Sequence, residues 1–319
     1  MVHNEVIMRQ SLAALLLCTG SLMLAGCDFD EVADLGSSDR YKEDFNSTHK
    51  LNAGGRIALE SFNGSVEVVG WDRDTVEVTG TKYARREEVM KDIKIDIVSD
   101  PGSLRIRVRR PVENNCNCGA KFSLHVPRKA VLDEIVTSNG SIRLESVAGD
   151  SRLRTSNGSV RVWSVDGNLV VQTSNGGVDL DKFSGSADLR TSNGRIKATG
   201  VKGSFSAVTS NSSVDAELGS IDGNHPVVAR TSNGSVNLTL DSFKGNEIRA
   251  TTSNGSVNLR LPAGIGADLR ASTSNGSITS DLEVATKEFS KTHMAGRIGA
   301  GGGLIDITTS NGNVRLLKR

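Results

Sequence analysis

Thr-Ser-Asn-Gly, or a near copy of it, recurs with its asparagine at Asn139, Asn157, Asn175, Asn193, Asn211, Asn233, Asn254, Asn275 and Asn311. The steps are 18, 18, 18, 18, 22, 21, 21 and 36 residues, the last being two times 18. A period this short and this constant means stacked supersecondary units, none of which can bury its apolar face alone. At Asn211 the glycine is replaced by Ser212, and around Thr292-His293-Met294 one copy reads as decayed. An earlier relative, Phe62-Asn63-Gly64-Ser65-Val66, stands apart from the run.

A second glycine column, Gly149, Gly167, Gly185 and Gly203, follows Gly140, Gly158, Gly176 and Gly194 at a distance of nine residues each time. Each repeat is therefore two equal halves, with room in each for a strand of about six residues and a short turn. Between the glycines the residues alternate with period two, as in Leu169 to Thr173 and Val178 to Leu180. Two all-β architectures compete. Asn-Gly between alternating strands is a strong hairpin signal and would give an antiparallel meander. That arrangement sets like positions two strands apart, near 9.6 Å, and gives them no reason to match. A parallel β-solenoid of flattened two-strand coils, 18 to 22 residues each, stacks them about 4.8 Å apart, where identical residues form ladders. The solenoid is the expected fold.

Parity assigns faces. Leu153 shares a side with Thr155, Leu169 and Val171 with Thr173, and Leu189 with Thr191, so the threonines point inward. Carried through the bend, the same count turns the asparagine column inward, as a structural ladder of buried amides bonded to one another. It leaves Ser156, Ser174 and Ser192 toward water.

Residues 51–130 hold looser β segments, the clearest being 92–98 and 103–109 joined by the turn Ser99-Asp100-Pro101-Gly102. Arg105, Arg107, Arg109 and Arg110 form a basic stripe on the outward phase. Such charges are usually only solvating, and contact with anionic lipid or polysaccharide is the functional alternative.

At the other end of the chain Arg9 precedes the apolar run Leu12 to Cys18, which closes with Leu24-Ala25-Gly26-Cys27. The run is too short to span a bilayer, which needs roughly 20 apolar residues. The tetrapeptide resembles the lipobox of bacterial lipoproteins, which implies cleavage before Cys27 and acylation of its sulfur, with Met1 or Met8 as the start. The expected layout is a signal peptide over 1–26, the lipidated Cys27 and a tether over 27–50, the N-terminal β region over 51–130 and the repeats over 131–319. Asp28 resembles the inner-membrane retention signal of some lipoproteins. Of the other cysteines, Cys18 leaves with the signal. Cys116 and Cys118 make a poor zinc site without a second cluster, and His3, His49, His125, His225 and His293 show no metal spacing. A loop with two thiols, or a Cys116–Cys118 disulfide in an oxidising envelope, fits better than a metal or redox centre.

Between Asn63 and Asp72, at Val126-Pro127, through the repeats and in the ending Gly299 to Gly312, the chain resembles a bacterial family of unknown function described as putative adhesins. The resemblance covers roughly residues 50–319, implies a surface or periplasmic binding role, and brings no catalytic residues. The 38 Lys and Arg balance 37 Asp and Glu, so no bulk field invites nucleic acid. The acidic residues are scattered without the paired arrangement a polysaccharide-cleaving β-helix enzyme needs. The expected function is a non-catalytic interaction scaffold without cofactor, anchored in the membrane through lipid, facing periplasm or exterior, with an envelope protein or glycan as partner. A polysaccharide-acting enzyme and a purely structural or stress-related envelope protein are the alternatives.

Overall fold

Parallel stacking with like residues in register organises the chain. A computed structural model describes residues 40–112, 116–221 and 224–319. Each coil runs up one face, turns at Thr-Ser-Asn-Gly, runs down the second face and bends again into the next coil. The first face stacks Arg56–Glu60, Val131–Val136, Ser151–Arg154 and the second halves of the long strands Val160–Gln172, Val178–Arg190 and Ile196–Val208. Val227–Arg230 and Ile248–Thr251 continue it. The second face stacks Val66–Trp71, Ile142–Glu145 and the first halves of the long strands, then Val214–Leu218, Val236–Leu240 and Val257–Leu261. All these pairings are parallel, and Val160, Val178, Ile196, Val214, Val236 and Val257 occupy one row. The fold is a β-solenoid.

The turn shows why a hairpin loses. Neither the asparagine nor the glycine of any Thr-Ser-Asn-Gly copy has a positive φ, which a tight Asn-Gly hairpin requires. Glycine is needed for closeness instead. A Cβ on Gly158 would lie 1.8 Å from the Gly140 carbonyl oxygen, and one on Gly176 would lie 1.8 Å from that of Gly158. The left-handed residues are in the other bend, where Ser146, Ser164 and Lys182 have φ of 58°, 56° and 53° and Gly200 continues the column at 64°. Each sits directly before an inward apolar residue, Val147, Val165, Phe183 and Val201, all buried. Between the faces lies a thin core of Val, Ile, Leu and Ala, in which Phe183 and Phe205 are the largest fully buried side chains.

The ends depart from the sequence reading. Tyr41–Lys50, expected in the tether, is a strand antiparallel to Thr75–Ala84, because its alternation pairs well across a ten-residue ladder. Thr75–Ala84 in turn pairs with Gly119–Pro127, which lies parallel on Val66–Trp71. Residues 51–130 are therefore not a region apart from the repeats. Arg56–Glu60 and Val66–Trp71 form the first coil, and residues 72–130 are a long excursion that extends both faces. Ser103–Arg109 lies beside Arg56–Glu60, followed by Lys94–Asp100 in the expected antiparallel pair. Asp92 belongs to a short helix, Glu87–Asp92, rather than to that strand.

At the far end the coils leave sequence order. Gly303–Thr309 pairs in parallel with Ile248–Thr251 on one side and with Ala267–Thr273 on the other. Val314–Lys318 likewise lies between Val257–Leu261 and Ile278–Ser280. The last coil in sequence is thus the penultimate coil in space. The 36-residue step is not two coils with one decayed copy. Thr292 lies in the bend, and His293 and Met294 in the second strand, of an antiparallel pair, Val284–Phe289 with His293–Ile298, that covers the edge of Ala267–Thr273.

Candidate functional surfaces

Two surfaces carry the chemistry of the coils: the Thr-Ser-Asn-Gly edge and the outward side of the second face. At the edge, Thr137, Thr155, Thr173, Thr191, Thr209, Thr231, Thr252, Thr273 and Thr309 are all buried. Each hydroxyl clamps neighbouring coils. Thr155 Oγ1 donates to the Gly140 carbonyl at 2.9 Å, Thr173 to Gly158 at 3.0 Å and Thr191 to Gly176 at 3.0 Å. The same three oxygens accept the N–H of Gly158, Gly176 and Gly194 at 3.2, 3.3 and 3.1 Å.

The asparagines form a ladder on the outside. Asn139 Nδ2 donates to Asn63 Oδ1 at 2.5 Å, and Asn157, Asn175, Asn193, Asn211, Asn233 and Asn254 each donate to the one before at 2.5 to 2.9 Å. Asn311 then donates to Asn254, and Asn275 to Asn311. All nine repeat asparagines are exposed, so the inward assignment of this column is corrected. Alternation of faces holds for extended backbone only, and the Ser-Asn-Gly bend is not extended. Asn63, which the sequence sets apart from the run, is the first rung. Its Nδ2 donates to the Cys118 carbonyl at 2.9 Å, and Cys118 is joined to Cys116 by a disulfide.

The basic stripe is largely taken up by structure. Arg107 pairs with Glu60, Arg109 with Asp96, and the Arg110 guanidinium sits 5.1 Å from the centre of the Phe62 ring.

On the second face Trp163 stands on the outward phase of Val160-Arg161-Val162-Trp163, where its neighbours in the alternation are polar. It is 42% exposed, and Lys182 Nζ lies 5.0 Å from its ring centre. Beside it is a shallow open depression of about 650 Å³ lined by Arg143, Arg161, Asp179, Asp181, Lys197 and Thr199. Arg161 approaches Asp179 at 4.0 Å, while Arg143 reaches Glu145 at 3.3 Å and Glu67 at 3.6 Å. The other tryptophan is used by the fold: Trp71 Nε1 donates to the Thr75 carbonyl at 2.8 Å, with Arg73 over its ring and His125 beside it. An aromatic plane flanked by cations, carboxylates and a hydroxyl is equipped to bind a polar ring or a charged peptide. Sequence reasoning passed over Trp163, although an aromatic on the polar phase of a strand is a legible signal.

Cys27 lies outside the described residues. Among the described residues there is no group of three or more His, Cys, Asp or Glu side chains placed to hold a metal ion. Nor does any helix there have the length and apolarity to cross a membrane.

A family model described as Toastrack DUF4097 matches residues 33–317. No curated protein matches the chain. Similar solved structures include a putative adhesin from Bacteroides fragilis, at 10% identity and a TM-score of 0.39, covering 86% of this chain and 97% of that one. A putative adhesin from Parabacteroides merdae (10% identity, TM-score 0.34) and a putative lipid binding protein from Parabacteroides distasonis (11%, 0.35) each cover 86% of this chain and 96% of their own.

Proposed function

The chain belongs to the Toastrack DUF4097 family, and on that footing we propose that it is a lipid-anchored, non-catalytic interaction scaffold of the bacterial cell envelope. The observation that carries the binding role is Trp163, a large apolar ring left on a polar sheet surface beside an open depression. Exposing an indole forgoes burial worth about 1.5–3 kcal/mol for a large side chain. Aromatic anchors ringed by polar groups are the usual centres of recognition surfaces. A stack of coils repeats its backbone every ~4.8 Å, so a partner with its own short repeat, an envelope glycan above all, meets similar contacts along the axis. Leu24-Ala25-Gly26-Cys27 supports the anchor, with residues 1–26 as leader. Tyr41 opens the first described strand 14 residues after Cys27, which ends the proposed tether before that strand.

The test is binding of the purified protein to arrayed envelope glycans and envelope proteins, with Trp163→Ala alongside. A partner whose affinity falls about tenfold or more in the variant, while the urea midpoint is unchanged, supports the reading. A partner bound equally well by both proteins places the contact elsewhere and removes Trp163 from it.

A further inference from the structure

The chain holds nine Asn-Gly pairs, at Asn63, Asn139, Asn157, Asn175, Asn193, Asn233, Asn254, Asn275 and Asn311. In a flexible chain this dipeptide is the one most prone to deamidation, because glycine lacks the Cβ that would hinder ring closure. The Gly nitrogen attacks the Asn side-chain carbonyl carbon, and a bond forms between them. The Cγ–Nδ2 bond breaks, and ammonia leaves with the proton from the Gly nitrogen. Water then opens the succinimide at either carbonyl, giving aspartate or isoaspartate.

We propose that the coil geometry blocks this reaction in the folded protein, and that Asn275-Gly276, at the open end of the ladder, is the site where modification begins. In the central coils both reacting groups are held by different neighbours. The nucleophile is tied down because the N–H of Gly158, Gly176 and Gly194 donates to a buried threonine hydroxyl that is itself bonded to the preceding coil. The leaving amide is tied down because Nδ2 of Asn157, Asn175 and Asn193 donates along the ladder at 2.5 to 2.7 Å. The Asn backbone is fixed as well, since the N–H of Asn175 donates to the Ser156 carbonyl and that of Asn193 to the Ser174 carbonyl. Cyclisation there requires the coil to open locally.

Asn275 keeps the backbone tie, its N–H donating to the Ser310 carbonyl at 2.7 Å, and differs at its side-chain carbonyl and at the nucleophile. It is the last rung in space, so its Nδ2 donates to Asn311 at 2.9 Å but its own Oδ1 accepts no ladder bond. Thr273 Oγ1 donates to the Gly312 carbonyl at 2.8 Å, and no hydrogen bond to it from the Gly276 N–H is present among the described residues. Asn233, Asn254 and Asn311 fall between, with ladder bonds on both sides but, among the described residues, no hydrogen bond from the following glycine N–H to a threonine hydroxyl.

The consequence is one-way. An aspartate in the ladder has no N–H to donate and sets a carboxylate against the neighbour's acceptor oxygen. An isoaspartate adds a backbone atom to a coil whose length is fixed. A chain that stays unfolded for long therefore loses the means to rebuild its edge.

The experiment is peptide mapping of the purified full chain by mass spectrometry after incubation at neutral to mildly basic pH. One set is native and a second is kept in enough urea to unfold it. In urea all nine pairs should convert at comparable rates. In the native set Asn275 should convert first, and Asn157, Asn175 and Asn193 should be slowed by at least ~100-fold relative to urea, as befits a reaction gated by local opening. Thr173→Val should raise the rate at Asn175 while leaving Asn275 unchanged, and Thr173→Ser, which keeps the hydroxyl, should not. If Thr173→Val does not fold, the native map and Thr173→Ser decide the matter. Central pairs that convert as fast as Asn275 in the native protein, or as fast as in urea, overturn the proposal.

Discussion

Replacing Thr173 by valine removes one hydroxyl from the interior and leaves the side-chain shape almost unchanged. Two groups then lose their partner: the Gly158 carbonyl, which accepts from Thr173 Oγ1 at 3.0 Å, and the Gly176 N–H, which donates to it at 3.3 Å. A buried polar group left unpaired costs about 1–3 kcal/mol, and the long 3.3 Å bond belongs at the low end. The added methyl returns up to ~0.8 kcal/mol by burial. The net expectation is a loss of about 2–3 kcal/mol. The adjacent positions set the scale, because Ser174 and Asn175 lie in the same turn but are exposed. Ser174→Ala should cost less than ~0.5 kcal/mol, the ordinary range for a surface change. Asn175→Ala breaks two ladder bonds, but water replaces them, so about 0.5–1 kcal/mol is expected. Urea unfolding of the three variants beside the parent, with unchanged slopes, measures all three. If Thr173→Val falls within ~0.5 kcal/mol of Ser174→Ala, the buried hydroxyl is not the clamp. If Asn175→Ala is the most costly of the three, the outer ladder is.

Gly176→Ala should destabilise by more than ~4 kcal/mol or prevent folding, since its Cβ would meet the Gly158 carbonyl oxygen at 1.8 Å. Gly54→Ala, at φ +78° in open space, should cost only about 1 kcal/mol, and equal losses in urea titrations would refute the close-approach argument. For Asp215, burial pushes the carboxyl pKa up, but hydrogen bonds from Arg195, Asn237 and Ser213 and the charge of Arg195 outweigh it, so the net pKa lies below the ordinary carboxylate value. A lowered folded pKa gives stability that is present above the unfolded pKa and lost as pH falls through the folded one. Asp215→Asn should therefore flatten the acid limb of the urea midpoint against pH, and an unchanged limb would count against this. Cys27→Ser should move the protein from the membrane to the soluble fraction without altering its circular dichroism; quantitative retention on membranes would point to another attachment. No turnover of common polysaccharides is expected, and activity abolished by a single Asp, Glu or Lys replacement would reverse the non-catalytic reading.

The sequence determined the class of fold because parallel coils place each residue beside its counterpart one period away. Val160, Val178 and Ile196 must match for the sheet to stack, and the threonines must match for one coil's hydroxyl to reach the glycine of the last. That coupling writes the register into an 18-residue period, and the inward phase of Leu153, Val171 and Thr173 follows from strand alternation alone. The bend was not legible in this way. Alternation lapses where the backbone leaves the extended region, so the asparagines that the count turned inward stand in solvent. Nor does a residue count say which coil lies beside which. Asn63 and Asn139 are 76 residues apart yet adjacent on the ladder, with the intervening chain folded out as an excursion. Asn311 sits between Asn254 and Asn275 because a parallel strand can enter wherever two coils present matching edges, whatever the order of synthesis. Period and phase are local properties of the chain. The order of the coils, the structure that covers their ends and the exposure of Trp163 depend on contacts between distant segments, and only the tertiary structure decided them.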